Sequence, residues 1–177
     1  GGIGGVLGGS GYIKNCYSSA TVIDQIANNT GKAGGIIGRV NGNASGSSIE
    51  NCYTSGDINA IGGGNAGGIV GKVDGGKLVI KNCIAWNSML VSTDKAKVGR
   101  IVGGTANATY ENCYAYDGMI LKAGEATFTV SDETSPSGSS FQGVAKSANE
   151  LKNTVINWDS SLWKEGGNGY PVFKWSK

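Results

Sequence analysis

A short phrase, Asn-Cys followed by Tyr or Ile, occurs four times in this chain, at residues 15–17, 51–53, 82–84 and 112–114. Each copy follows a glycine-rich phrase: Gly4-Gly5-Val6-Leu7-Gly8, Gly34-Gly35-Ile36-Ile37-Gly38, Gly67-Gly68-Ile69-Val70-Gly71 and Gly99-Arg100-Ile101-Val102-Gly103, with starts 30, 33 and 32 residues apart. The cysteines keep step, at intervals of 36, 31 and 30. The distance from first glycine to cysteine varies (12, 18, 16 and 14), whereas an apolar residue stands six positions after every cysteine: Val22, Ile58, Met89 and Met119. A fixed period with insertions confined to one place is what stacked units produce when their loops leave from one edge. Each repeat therefore reads as one coil of a solenoid.

Helical coils are excluded by composition, because each repeat carries at least four glycines and lacks apolar residues at i, i+3, i+4, i+7. Short strands fit: one at the glycine phrase, one at Ile-x-Asn-Cys-Tyr and one around the apolar residue beyond, with Gly, Asn, Ser and Asp supplying turns. Recurrent glycine within strands signals bends or close approach of the next coil. The expected fold is all-β: a parallel β-helix solenoid of about four to five coils, right-handed as parallel crossovers are. One coil cannot offset the entropy of ordering its own backbone, so ladders and packing between neighbours must supply the stability.

Stacking turns ordinary residues into columns. Lys14, Glu50, Lys81 and Glu111 immediately precede the four Asn-Cys pairs, and at about 4.8 Å between coils they would alternate in sign and fix register. Ile13, Ile49, Ile80 and Tyr110 are placed inward, and Asn15, Asn51, Asn82 and Asn112 are expected to bond to one another as a side-chain amide ladder at a bend. The cysteines Cys16, Cys52, Cys83 and Cys113 form a further column. Spread over about 14 Å at that spacing they cannot converge on one zinc ion, and parallel side chains about 4.8 Å apart exceed the usual disulfide Cβ separation of about 3.8 Å. They are read as free buried thiols; no metal and no cofactor is expected.

The chain has 177 residues, a formal charge of +2 and 16% charged residues, which describes one domain without the field that nucleic-acid binding needs. No apolar run approaches the roughly twenty residues of a membrane span. Residues 1–122 make the four repeats, and 123–177 an irregular last coil and a cap within the same structural domain. A loop is expected at Ser135-Pro136-Ser137-Gly138, and Ser147-Ala148-Asn149-Glu150 is a capping box that opens a short helix. Beyond it Trp158, Leu162, Trp163, Tyr170, Pro171, Val172, Phe173 and Trp175 crowd together. An open solenoid end exposes strand edge and core, so this tail is read as the cap for that end, an aromatic sugar-binding platform being the alternative. The chain begins inside its first repeat, which predicts an upstream domain, covalent or packed, at that end.

The phrases Gly34-Gly35-Ile36-Ile37-Gly38-Arg39-Val40 and Ile49-Glu50-Asn51-Cys52-Tyr53-Thr54-Ser55-Gly56-Asp57-Ile58 resemble the GLUG repeat. That repeat occurs in secreted and surface proteins of bacteria, including adhesins and accessory regions of immunoglobulin A peptidases. The resemblance covers about residues 2–122, and the ending Gly169-Tyr170-Pro171-Val172-Phe173-Lys174-Trp175 looks like the end of such proteins from gut bacteria. It implies an extracellular or cell-surface location and a role in attachment, and it carries no catalytic residues to transfer. Repeat four departs from the pattern at Arg100.

The chain has no histidine, which removes His-dependent triads and His-Glu-x-x-His metalloprotease sites. Asp24, Asp57, Asp74 and Asp117 lie near predicted turns, but no two acids occupy matched positions in adjacent coils, as paired-carboxylate chemistry would require. The chain is accordingly expected not to be an enzyme. The candidate ligand surface is Tyr17, Tyr53 and Tyr114 with Trp86 and Tyr116, since stacked exposed aromatics suit sugar rings or a protein partner. Tyrosines that stack only on one another to hold the sheet are the alternative. The expected function is a non-catalytic adhesion or binding module for a glycan or a host extracellular protein. Behind it stand a spacer that presents another domain, and a carboxylate-dependent polysaccharide-degrading enzyme.

Overall fold

The structure is a computed structural model that describes residues 1–28, 30–42, 45–104, 108–130 and 141–176. The Ser135–Gly138 loop lies outside the described residues.

The chain is an all-β solenoid of about four turns with one helix and an aromatic cluster near its C-terminus. Its strands stack into five parallel columns. A glycine column holds Gly4–Leu7, Ile37–Val40 and Val70–Val73, and an alanine column holds Lys32–Gly34, Asn65–Gly67 and Val98–Gly99. A charge column holds Tyr12–Lys14, Ser45–Glu50, Lys77–Lys81 and Ala108–Glu111. A tyrosine column holds Tyr17–Ser18, Tyr53–Thr54, Ile84–Ala85, Tyr114–Tyr116 and Val144–Lys146. The fifth column holds Val22–Ile23, Ile58–Ala60, Met89–Ser92 and Ile120–Ala123, with Ala126–Phe128 folded back antiparallel on the last.

Each coil thus bends more often than three strands would require. The glycine phrase turns a corner at its own centre, where Gly35 N–H donates to the Gly68 carbonyl (3.0 Å) and Ile36 N–H to that of Ile69 (2.9 Å). A Cβ at Gly35 would strike the Gly68 carbonyl, and one at Gly68 the Arg100 carbonyl. Glycine is therefore required wherever another coil is stacked on that corner. Arg100 occupies this position in repeat four, where the next layer is the turn at residues 141–143. Its guanidinium donates to the carbonyls of Gln142 (2.9 Å) and Gly143 (2.7 Å).

The second corner is made by asparagine. Asn15, Asn51, Asn82 and Asn112 all have φ between 50° and 54°, the left-handed region that asparagine tolerates better than other side chains. This corner separates the charge column from the tyrosine column, so Ile-x-Asn-Cys-Tyr is two strands and not one.

The core falls into two clusters, and the alanine column belongs to the second. In the first Ile36, Ile37, Val40, Ile49, Cys52, Ile69, Val70, Ile80, Cys83, Ile101 and Cys113 interlock. In the second, Ala33, Ile58, Ala60, Ala66, Leu90, Val98 and Leu121 do so. The inward residue of the fifth column does not stay six places after the cysteine. Ile58 is in register with Leu90 and Leu90 with Leu121, because coils three and four carry one and two extra residues at the preceding turn, so Met89 stands in the column opposite Ile120 and off the inward position, and Met119 precedes its strand.

The aromatic tail does not lie over the end of the stack. Helix α1 (Ala148–Trp158) and the hairpin Trp163–Glu165/Pro171–Phe173 lie along its side, over the tyrosine column. Phe141, whose carbonyl accepts from Ile101 N–H (2.9 Å) and Val102 N–H (3.2 Å), covers part of the C-terminal end instead.

Candidate aromatic cleft

Alternation within two- and three-residue strands points Tyr17, Tyr53, Ile84 and Tyr114 away from the core and directly above one another. Tyr17 and Tyr53 stack with ring centres 5.2 Å apart and planes within 5°. Helix α1 and the hairpin cover this face. Leu151 and Val155 of the helix and Trp163 of the hairpin are buried against Tyr53, Ile84 and Trp86. Phe173 and Trp163 reach Tyr17 at 5.4 and 6.1 Å. The Tyr53 hydroxyl donates to the Pro171 carbonyl, and burial pushes its pKa well above the ordinary value. Tyr53 is 1% exposed and Trp86 5%, so most of the predicted ligand surface is where the tail docks. Lys146 sits 3.8 Å over the Tyr114 ring, a cation–π contact worth about 0.5–1 kcal/mol where solvent reaches it.

An opening remains between the solenoid and its tail. A cleft of about 330 Å³ is lined by Trp86, Ser88 and Tyr116 from the coils, Asn149 and Lys152 from α1, and Asn168 to Tyr170 from the hairpin turn. Trp86 meets Tyr170 edge-on at 4.7 Å, forming an aromatic wall. Asn149 and Lys152 are three residues apart on α1 and so lie on one helix face. Lys152 is held by Glu165 at 2.9 Å. Rings flanked by amides and an ammonium group offer both the stacking surface and the directional donors that a sugar or a glycosylated peptide requires. Of the sequence candidates Trp86 and Tyr116, and Tyr170 from the tail expected to be a cap, line this cleft. Asn149 and Lys152 were missed as ligand contacts, although an aromatic tail as dense as the tyrosine column was a signal that the two meet.

The other predicted residues are occupied in holding the coils. Asn51 Nδ2 donates to Asn15 Oδ1 (3.1 Å), Asn82 to Asn51 (3.0 Å) and Asn112 to Asn82 (3.0 Å). The thiols are free; those of Cys52, Cys83 and Cys113 are buried, and burial pushes Cys113 up to about 12. Lys14 pairs with Glu50 (3.7 Å) and Lys81 with Glu111 (2.8 Å). Among the carboxylates, Asp57 accepts from Met89 N–H (3.1 Å) and Asp74 pairs with Arg39. Burial opposes ionisation of Asp74, but the Arg39 hydrogen bond and the charges of Arg39 and Lys72 outweigh it and hold the carboxyl below its ordinary value. Among the described residues no group of three or more His, Cys, Asp or Glu could hold a metal ion, and no helix is long and apolar enough to cross a membrane.

Among solved structures, the chain is similar to one from Bacteroides ovatus named a putative immunoglobulin A1 protease, with 49% identity and a TM-score of 0.81 over 94% of this chain. The match covers 48% of that protein, so this chain spans about half its length. No protein-family model matches the chain, and no curated protein matches it. The likeness agrees with the immunoglobulin A peptidase side of the sequence resemblance, while the GLUG repeat assignment stays a resemblance. It also overturns the expectation that the chain is not an enzyme, because the relative's name points to a protease. That expectation drew on the missing histidine, on unmatched carboxylates and on a resemblance without catalytic residues, and a lack of histidine excludes particular mechanisms, not peptide hydrolysis as such.

Proposed function

We propose that this chain is the solenoid part of a secreted or surface-displayed protease acting on immunoglobulin A1, and that it holds the immunoglobulin or its glycans in the aromatic cleft. The observation that carries this reading is the cleft itself. Trp86, Tyr116 and Tyr170 stand beside Asn149 and Lys152 at the seam between two rigid elements. Support for the substrate class comes from the 49% identical relative. A site built where coils and tail meet is pre-shaped by both, so it loses little freedom on binding.

Tyr116→Ala and Asn149→Ala leave the buried aromatic cluster in place and remove one stacking surface and one donor. Immunoglobulin A1 immobilised on a sensor surface should bind the protein, and each variant should weaken that binding about tenfold, equivalent to roughly 1.4 kcal/mol. Deglycosylated immunoglobulin distinguishes a glycan ligand from a peptide one. Immunoglobulin A1 incubated with the longer protein of which this chain is the solenoid part should show heavy-chain fragments on a denaturing gel. Unaltered affinity in both variants would sink the cleft assignment, and intact heavy chain after incubation with the longer protein would sink the protease reading.

A further inference from the structure

The first coil is unlike the others in what it leaves uncovered. Ile3 occupies the inward corner position of Ile36, Ile69 and Ile101, which are fully buried, yet Ile3 is 47% exposed. Ile13, Cys16 and Val22 are half-buried where their partners Ile49, Cys52 and Ile58 are buried. Every strand of this coil pairs on one side only. The exposed layer is thus a cross-section of the solenoid core bordered by unpaired backbone groups.

The side chains at this edge specify what it would accept. The asparagine ladder has a direction, each amide donating to the preceding coil. Asn15 accepts from Asn51, so its own Nδ2 points the ladder outward toward a further acceptor. The charge column alternates from Lys14 to Glu50 to Lys81 to Glu111, so the next position in sequence of sign is acidic. A second copy does not fit this edge. Head to head it opposes Lys14 to Lys14 across antiparallel strands; head to tail it would offer Glu111 and Asn112, but the antiparallel Ala126–Phe128 strand and the turn at Phe141 stand on the neighbouring columns of that end.

We propose that the open edge of the first coil is an interaction surface for one more coil of the same repeat, stacked in parallel, with an acidic residue before its own Asn-Cys pair. The coil is contributed by a neighbouring segment of the same polypeptide in a longer protein. The Bacteroides ovatus relative, of which the match covers 48%, has chain enough for it.

Register makes the test direct. Gly67 is in register with Gly34, and Gly4 with Ile37, so Gly1, and not the Gly4 expected from the repeat spacing, stands where Gly34 and Gly67 stand in the next two coils. A copy of residues 34–66 placed immediately before Gly1 therefore supplies one coil in phase, its glutamate above Lys14 and its asparagine above Asn15. The extended protein should melt several degrees higher, and the amides of Gly4–Leu7 should exchange with solvent at least tenfold more slowly. A control extension with Glu50→Lys and Asn51→Ala inside the added copy should lose most of both effects. Equal gains from the control, or an added coil that exchanges freely, would overturn the proposal. So would light scattering showing the unextended protein to be a dimer with this edge already protected.

Discussion

At the scale of single residues, the asparagine corner combines two demands that the sequence displayed only as repetition. The four residues must enter the left-handed region, and the amides of Asn51, Asn82 and Asn112 must each bridge to the coil before. Asn82 serves both, at φ 50° and with neighbours on either side. Asn82→Ala should cost about 3–4 kcal/mol, from backbone strain of about 1–2 and two lost bonds of about 1 each. Asn82→Gly relieves the strain and should cost about 1–2 kcal/mol less, so urea denaturation of the pair separates conformation from ladder. The ladder was legible because identical polar residues at one solenoid period can hardly do otherwise than meet. The inward role of Leu90 and Leu121 was not, because the turn before the fifth column lengthens by one residue in coil three and by one more in coil four, and each such slip changes which side chain faces in.

At the scale of elements, helix α1 shows where local sequence suffices. Ser147 Oγ accepts from Glu150 N–H, while the Glu150 carboxylate accepts from Ser147 N–H at 2.9 Å. The Ser147 side-chain and backbone bonds hold that carboxyl below its ordinary value of 4.5. A depressed folded-state value means that this contribution is complete above the ordinary carboxylate range and is lost as pH falls through the lower folded value. Ser147→Ala should lower stability by about 0.5–2 kcal/mol, return the Glu150 carboxyl toward normal, and flatten the acid side of a stability–pH curve. Denaturation between neutral and acid pH checks all three. The capping box marked where the helix starts, but nothing local said which surface it would cover. Pairing of the tail with Tyr17, Tyr53 and Trp86 is a contact between distant parts of the chain, visible only when both aromatic sets are required to leave water together. The cleft at their seam was hidden for the same reason.

At the scale of the whole molecule, the solenoid itself was legible because its period is written in glycine and asparagine, whereas the path of the tail is written once and has no period. An array of coils that touch only their neighbours ordinarily loosens from its free ends, one unit at a time. Here the tail leaves the last coil and runs back along the stack. Tyr170 meets Trp86 in coil three, Pro171 accepts from Tyr53 in coil two, and Phe173 reaches Tyr17 in coil one. Trp163, 1% exposed, is the centre of that contact. Trp163→Ala should cost about 3–5 kcal/mol and should split a single urea transition into two, with amides of the first coil exchanging before those of coils two and three. In mechanical terms the tail is a splint. It joins the first layer to the last, so a molecule with the architecture of a stack gains the all-or-none response of a closed ring, and a pull on either end is shared by every layer at once.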